Sequence, residues 1–213
     1  MSSAFRLYDY VLSGNCYKVR LLAALLGVEY ERVAVDFYPG LEHRGEAFRA
    51  INPAGTLPVV ELDGQVLVDS DQILITLARR FDPSGRWYPQ QAQARAQVER
   101  WLELGQQVTQ SVGPARLHSM LDWPLEKGTK ARAREALLAF ETALTKRRLE
   151  GGKWLVGEAP SIADIACFPY VALSPDAGLE HDGLAAIRNW TFEVRSLPGF
   201  VTMPGIHAMH GWV

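Results

Sequence analysis

Apolar and polar positions follow two different periods in the first 82 residues of the chain. Alternation typical of strands occurs at 5–10, 29–36, 57–62 and 65–68, and apolar stripes at helical spacing lie between these segments. The dipeptide Asp63–Gly64 joins the last two strands and is typical of a two-residue hairpin turn, because both positions tolerate positive φ. The order β-α-β-α-β-β-α predicts an α/β domain with one mixed four-stranded sheet.

The helices of this half have recognisable ends. Gly27 ends the first helical stripe, Ser70 is a natural N-cap for the last helix, and Asp82 begins the turn that ends it. Residues 46–51 predict a short helix at most. The segment from Phe37 to this short helix has the composition of a loop.

The second half of the chain has helical patterns only. Residues 1–82 therefore predict an α/β domain, 83–88 a linker and 89–213 an all-helical domain. The tail from Pro198 to Val213 is too rich in Pro and Gly for one helix, and we expect it to wrap over a domain. The predicted helices of the second half are 90–112, 130–149, 161–173 and 184–195.

The third of these helices begins with a capping box. Ser161 can accept a hydrogen bond from the first turn, while Asp164, three residues later, reaches back to the helix start. Ile162 and Ile165 face the interior. We interpret this motif as a structural start signal.

Composition argues against several classes of protein without identifying the function. The chain has 213 residues, a net charge of -2 and a pI of about 6.2, so nothing favours nucleic-acid binding. Its apolar runs are shorter than a membrane helix needs, and its start does not resemble a signal peptide. Cys16 and Cys167 do not make a disulfide framework, and we expect a soluble, cytoplasmic protein without a metal.

The segment Ser13-Gly-Asn-Cys16 lies where the first strand gives way to the first helix. A helix N-terminus presents unpaired N–H groups and partial positive charge, so it stabilises an anion. A Ser13 hydroxyl that donates a hydrogen bond to sulfur would favour the thiolate of a bound ligand. Taken alone, the motif favours the simpler interpretation, that Ser13 only caps the helix.

Cys16 raises the alternative of a redox thiol in the chain itself. A dithiol site needs C-x-x-C with the first cysteine exposed, and here that position holds Ser13. We interpret Cys16 as a half-buried small apolar residue, with a mixed-disulfide role as the alternative.

Two further segments could bind the ends of a peptide-like ligand. A cis peptide bond at Leu57–Pro58 would leave the Leu57 backbone free to pair with a peptide, although a trans proline is the commoner case. Asp69 and Ser70 start a helix, where they could receive an α-ammonium and an α-carboxylate. Ordinary helix capping explains the same two residues.

Together these segments resemble the glutathione transferase superfamily, in particular its theta-like and bacterial members that use a serine. The resemblance covers almost the whole chain, and it depends on the order and spacing of the motifs. The segment 8–21 is similar to the opening motif of those members, 52–64 to the cis-proline strand, Asp69–Ser70 to an acidic-Ser pair, and 157–164 to the capping box of the helical domain.

The resemblance implies a thioredoxin-like domain that binds glutathione and a helical domain that shapes the second-substrate site. It implies that Ser13 donates a hydrogen bond to the glutathione sulfur and that the Leu57 backbone pairs with the cysteinyl part beside cis Pro58. Asp69 and Ser70 would hold the γ-glutamyl end. His43 is similar to a histidine that helps to hold the glycyl carboxylate.

One residue departs from the family pattern, and several others leave open which residue activates the thiol. Thr56 stands where Lys or Arg often serves the glycyl carboxylate. Other members activate the thiol with a tyrosine near the end of the first strand, where this chain has Tyr8 and Tyr10. Asn15 could donate through its amide, so the candidates are ranked Ser13, then Asn15, then Tyr10 or Cys16.

The implied reaction is attack of a glutathione thiolate on a small hydrophobic electrophile, by a homodimer. Glutathione-dependent isomerisation or dehalogenation is the alternative within the family, and a non-catalytic binding or regulatory protein is the alternative outside catalysis. Candidate residues for the electrophile site are Tyr10, Trp101, Val108, Leu117 and Met120, and each of the last four could equally be core.

Overall fold

A computed structural model describes residues 4–209, and residues 1–3 and 210–213, including Trp212 of the predicted tail, lie outside the described part. The elements follow the predicted order, with one short 3₁₀ turn added at Glu42–Arg44 and another at Ser174–Ala177. The strands are β1 Arg6–Asp9, β2 Glu31–Ala34, β3 Val59–Leu62 and β4 Gln65–Leu67. The helices are α1 Gly14–Leu26, α2 Glu46–Ile51, α3 Ser70–Phe81, α4 Ala92–Leu121, α5 Thr129–Leu149, α6 Ile162–Ala172 and α7 Ala185–Arg195.

The four strands form one mixed sheet in the order β2-β1-β3-β4, which confirms the prediction. Strand β1 pairs parallel with β2, with Leu7 opposite Arg32, and antiparallel with β3. The hairpin between β3 and β4 turns at Asp63 and Gly64, which both have positive φ, as its sequence indicates. The N-terminal half is thus a thioredoxin-like α/β domain followed by helices.

Helix α4 is longer than the sequence pattern predicts. It continues through Pro114 to Leu121 instead of ending near Val112. Gly and Pro in succession are an ordinary stop signal, but Ala115 and Arg116 are buried, and this packing holds the helix together beyond the proline. The extra turns bring new side chains next to the start of α1.

The α/β and helical halves share a continuous core. Tyr17 of α1 packs on Phe168 of α6, with ring centroids 6.4 Å apart, and both rings are fully buried. The tail also packs here: the Tyr17 hydroxyl donates to the Val201 carbonyl at 2.7 Å, and Phe200 lies edge-on to Phe168. Helix α1 therefore packs against both the helical half and the tail close to its start. Within residues 4–209, no helix combines the length and apolar character needed to cross a bilayer.

Candidate functional site

A cleft of about 430 Å³ opens where the start of α1 faces the second half of α4. It is closed on one side by the loop after β2 and on the other by α6. The residues that line it are Tyr10, Leu12, Ser13, Asn15, Phe37, His43, Arg44, Arg49, Ala54, Gly55, Thr56, Leu57, Gly113, Arg116, Leu117, Trp123 and Tyr170. Five of the sequence-predicted site residues lie in this set with the candidate Tyr10: Ser13, Asn15, His43, Leu57 and Leu117.

Ser13 caps α1 and also faces the cleft. Its Oγ accepts a hydrogen bond from the Cys16 N–H at 3.2 Å, and the side chain is half-buried. Because the oxygen is the acceptor in this bond, the hydroxyl hydrogen remains available to a group in the cleft. The capping interpretation and the functional one are therefore compatible.

The other candidates for thiol activation lie in different surroundings. Cys16 is fully buried, and burial raises its pKa to about 12, so it is a thiol at neutral pH. The Tyr8 hydroxyl donates to Glu61 at 2.9 Å, away from the cleft. Asn15 does line the cleft, and its Oδ1 is buried without a hydrogen-bond partner among residues 4–209.

Tyr170 of α6 reaches the same helix start, and the sequence reasoning missed it. Burial raises the pKa of this tyrosine to about 12, against the opposing effects of Arg116 and of the backbone N–H groups of Asn15 and Gly14. A hydroxyl with this pKa keeps its proton at neutral pH. The hydrophobic pattern did not distinguish Tyr170, because this residue directly follows the buried residues of α6 and resembles one of them.

Arg116 of α4 is the second residue that sequence reasoning missed. It is 3% exposed, its Nη1 donates to the Leu12 carbonyl at 2.6 Å, and its Nε donates to Asp176 at 2.8 Å. Its Nη2 is buried and finds no acceptor in the described part of the chain. Arg116 thereby ties α4 to the loop that carries Ser13 and keeps one donor unused beside the cleft.

Aromatic rings and arginines form the far end of the cleft. Phe37 stacks on His43 at 4.0 Å and on Trp123 at 5.8 Å between centroids, and the Arg44 guanidinium lies 5.2 Å from the Trp123 ring. The pKa of His43 is lowered, first by burial and then by Arg44 and Arg49, so the imidazole is neutral at neutral pH. The cations at this end are thus the two arginines.

These arginines supply, at this end of the cleft, the positive charge that is absent at Thr56. The Thr56 carbonyl and hydroxyl accept hydrogen bonds from Asn52 Nδ2 at 2.9 and 3.0 Å, so Thr56 fixes the loop instead of adding charge. Arg44 and Arg49, which follow His43 closely in sequence, line the cleft beside it. Their closeness to His43 in the sequence is the feature that indicates them as site residues.

The peptide-binding segments lie only partly in the cleft. The Leu57–Pro58 peptide is cis, and Leu57 lines the cleft. The N-cap of α3 is Asp69 and not the predicted Ser70, because the exposed Asp69 side chain accepts from the Asp71 and Gln72 N–H groups at 3.1 and 2.8 Å. Asp69 and Ser70 lie outside the set of residues that line the cleft, as does Pro58.

Ser70 has a partner that the sequence did not suggest. Its buried hydroxyl accepts a hydrogen bond from Nζ of Lys18 at 3.3 Å, and the same ammonium pairs with Asp71 at 3.3 Å. Lys18 is 1% exposed, so its charge is compensated inside the protein. The Ser70 hydroxyl is therefore fixed in orientation by α1.

Of the five candidates for the electrophile site, the cleft receives two, Tyr10 and Leu117. Val108 is fully buried in the core, Trp101 packs edge-on against Phe140, and Met120 is exposed. Gly113, the first residue of α4 in the cleft, is about 18 Å along the helix axis from Trp101 at 1.5 Å per residue. At 3.6 residues per turn, Trp101 and Val108 also lie about 120° and 140° around the helix from Gly113, so they share the face of α4 that packs on the core.

The charge and donor chemistry of the cleft suit an anionic ligand. Three arginines line it, and among residues 4–209 no Asp or Glu does. In the same part of the chain, no cluster of three His, Cys, Asp or Glu residues could hold a metal ion. The arrangement can hold an anion by hydrogen bonds from hydroxyl and guanidinium groups at a helix start.

Comparison with known proteins agrees with the family resemblance of the sequence motifs. Residues 12–80 match the family model "Glutathione S-transferase, N-terminal domain", and residues 123–198 match "Glutathione S-transferase, C-terminal domain". The chain is 29% identical to a maleylacetoacetate isomerase of Rattus norvegicus over 88% of this chain and 90% of that protein. It is 28% identical to glutathione S-transferase theta-1 of Homo sapiens, over 91% and 83% of the two chains. A glutathione S-transferase structure from Pseudomonas fluorescens superposes with a TM-score of 0.83 at 34% identity, over 94% of this chain and 99% of that one.

Proposed function

Because the chain belongs to the cytosolic glutathione S-transferase superfamily, we propose that it binds glutathione and presents the sulfur as a thiolate to a small electrophile. The observation that carries this proposal is Ser13 at the start of α1, whose hydroxyl oxygen accepts from the Cys16 N–H and which lines a cleft that also contains three arginines. A free thiol has a pKa of about 8.5. A hydrogen bond and the positive helix end both favour its ionised form.

The remaining residues of the cleft take the rest of the tripeptide in this proposal. The backbone of Leu57 pairs with the cysteinyl part, because its N–H and C=O form no backbone hydrogen bond with any residue from 4 to 209. Arg44, Arg49 and neutral His43 receive the glycyl carboxylate. Asp69 and Ser70 receive the γ-glutamyl end at the start of α3, just beyond the cleft.

The electrophile binds against the apolar and aromatic side of the cleft. Tyr10, Phe37, Leu117 and Trp123 supply this side. Sulfur and electrophile then meet in one enclosed volume, so the reaction gains from proximity. The thiol proton leaves to solvent before attack. The new bond then forms between sulfur and the electrophilic carbon while the bond from that carbon to its leaving group breaks, which for a chlorinated nitroarene releases chloride to solvent.

A glutathione-dependent isomerase is the second candidate function. Its support is the absence of carboxylates from the described lining of the cleft together with three arginines, which suits a substrate that itself carries carboxylate. Relatives named maleylacetoacetate isomerase are consistent with it. Assays with maleylacetoacetate and with a chlorinated nitroarene distinguish the two, since only the isomerase returns glutathione unchanged.

The decisive experiment measures ionisation of bound glutathione by thiolate absorbance against pH. We expect a thiol pKa below that of free glutathione in the natural protein and a pKa one to two units higher, as an order of magnitude, in Ser13→Ala. Ser161→Ala is the matched control, because it makes the same change at the start of α6, where the serine is buried in the helical half.

Each other outcome contradicts a different part of the proposal. Glutathione bound without ionisation indicates a carrier, and no binding indicates a regulatory protein that kept the scaffold. Full ionisation in Ser13→Ala assigns the hydrogen bond to Asn15 or Tyr10 instead.

The proposal includes a homodimer that works in the cytoplasm, as the family relationship suggests. Val66 of the edge strand β4 and Val68, which follows the strand, are exposed and offer apolar surface for a second copy. Sedimentation of the purified protein tests the dimer, because a monomer at micromolar concentration contradicts it.

A further inference from the structure

The ring of Tyr170 occupies a space that two glycines leave open. A Cβ at Gly14 would lie 2.8 Å from Cζ of Tyr170, and a Cβ at Gly113 would lie 3.2 Å from its Cε1. Both distances are too short for a side chain at either glycine unless the ring moves. Gly113 lies in the interior of α4, where glycine is unfavourable, so the position of Tyr170 is a built feature of the fold.

The hydroxyl of Tyr170 lies at the start of α1. The ring Cζ of Tyr170, which carries the hydroxyl, is the atom nearest to the Cβ position of Gly14, the first residue of α1. Arg116, which is buried on α4, adds positive charge nearby. A phenol hydroxyl at this place has a hydrogen to donate, and the positive helix end and Arg116 both favour an anion as its acceptor.

This arrangement leaves the first turn of α1 with two hydroxyl donors. Ser13 accepts from the Cys16 N–H, the hydroxyl end of the Tyr170 ring packs on Gly14, and both side chains line the cleft. Neither hydroxyl hydrogen has an acceptor among the residues from 4 to 209. A ligand anion is the group that satisfies both at once.

We propose that the Tyr170 hydroxyl, together with Ser13, donates a hydrogen bond to the glutathione sulfur. One of the catalytic residues that contact glutathione then comes from the helical half. This inference rests on the proposed function and extends it. Tyr170 keeps its own proton throughout, since its pKa of about 12 lies far above neutral. The thiol S–H bond breaks with loss of the proton to solvent, and the hydrogen bond stabilises the thiolate that remains.

Tyr170→Phe tests the role, because it removes the hydroxyl and keeps the ring between the two glycines. Tyr17→Phe is the matched control, because Tyr17 is fully buried on α1 itself and its hydroxyl bonds to Val201 away from the cleft. Two quantities are measured in each protein, the thiol pKa of bound glutathione and kcat/KM against pH with a chlorinated nitroarene.

We expect Tyr170→Phe to raise the thiol pKa by about one unit and to lower kcat/KM about tenfold at neutral pH. The rate should recover at high pH, where the thiol ionises without help. Tyr17→Phe should leave the thiol pKa unchanged. Gly14→Ala is a second variant that retains the hydroxyl but displaces the ring, and we expect a shift in the same direction.

The results separate this inference from the proposed function. If the natural protein does not ionise bound glutathione, the proposed function fails first. If the natural protein ionises it and Tyr170→Phe has the same thiol pKa, the inference is overturned. A rate loss that is equal at every pH, with an unchanged thiol pKa, overturns it in favour of a contact with the electrophile.

Discussion

Helices α1 and α6 both begin with a serine N-cap, yet the two helix starts are built differently. At α6, Ser161 is buried, its Oγ accepts from the Ala163 N–H at 3.2 Å, and Asp164 is fully buried beside it. The Asp164 carboxylate accepts from the backbone N–H groups of Leu155 and Ser161 and from Trp190 Nε1, at 2.9 to 3.2 Å. The donors at this helix start therefore find their acceptors inside the protein.

At α1 the corresponding acceptor is missing from the sequence. Residues 14–17 contain no Asp or Glu, so no carboxylate reaches back to Ser13. The residue that corresponds to Asp164 is Cys16, which is buried. Ser13, Asn15 and Tyr170 line the cleft at this helix start.

The difference shows what makes a helix start structural or functional. Where the chain supplies its own buried carboxylate, the positive end is neutralised and serves stability. Where it supplies only neutral hydroxyls, the positive end stays available to an anionic ligand. The same residue type, serine, therefore has a different role in each place.

The largest effect on stability is expected at Asp164. Asp164→Ala removes a buried acceptor and leaves several donors without a partner, so we expect a loss of about 3 kcal/mol or more in the free energy of unfolding. Urea unfolding measures it. Asp164→Asn keeps the volume and one acceptor and should lose less; equal losses for both would contradict the account of Asp164 as a multiple acceptor.

Ser161→Ala should have a smaller effect. Removing one serine N-cap costs about 1 kcal/mol in typical cases. Because the α6 start is far from the cleft, the thiol pKa of bound glutathione should stay at its natural value. A shift of that pKa in Ser161→Ala would show that the two helix starts are coupled. It would contradict the separate roles assigned to them.

Ser13→Ala should have a smaller effect on stability still, and a larger one on chemistry. Its cap is half-exposed to the cleft, where water can replace the hydroxyl, so we expect a loss near the low end for N-caps, about 0.5 kcal/mol. Urea unfolding of the two serine variants, side by side, checks the order. A Ser13→Ala loss above that of Ser161→Ala would assign Ser13 a mainly structural role.

The smallest effect is expected from a thiol reagent. Cys16 is fully buried with a pKa of about 12, so only about one molecule in 10⁵ is a thiolate at pH 7. We expect no modification of Cys16 by iodoacetamide in the folded protein at neutral pH, read by peptide mass, with the urea-unfolded chain as the reactive control. Rapid modification that glutathione blocks would restore the redox alternative for Cys16.

The sequence by itself determined the local features of this protein. The hairpin at Asp63–Gly64, the capping box at Ser161 and the order of strands and helices depend on residues a few positions apart. Turn and capping chemistry act over that range, so their signals can be read directly. Ser13, Asn15, His43 and Leu57 also reach the cleft, because each lies near the end of an element of the first half.

Only the tertiary structure decided what completes the site. Tyr170 and Arg116 lie more than 100 positions from Ser13, and helical phase shows which side chains share a face but not which neighbour covers that face. Trp101 and Val108 share the face of α4 that packs on the core, about 120° or more around the helix from Gly113, while α4 continues past Pro114 because Ala115 and Arg116 are buried. The packing of one half on the other gives these residues their partners, and that packing depends on contacts distant in sequence.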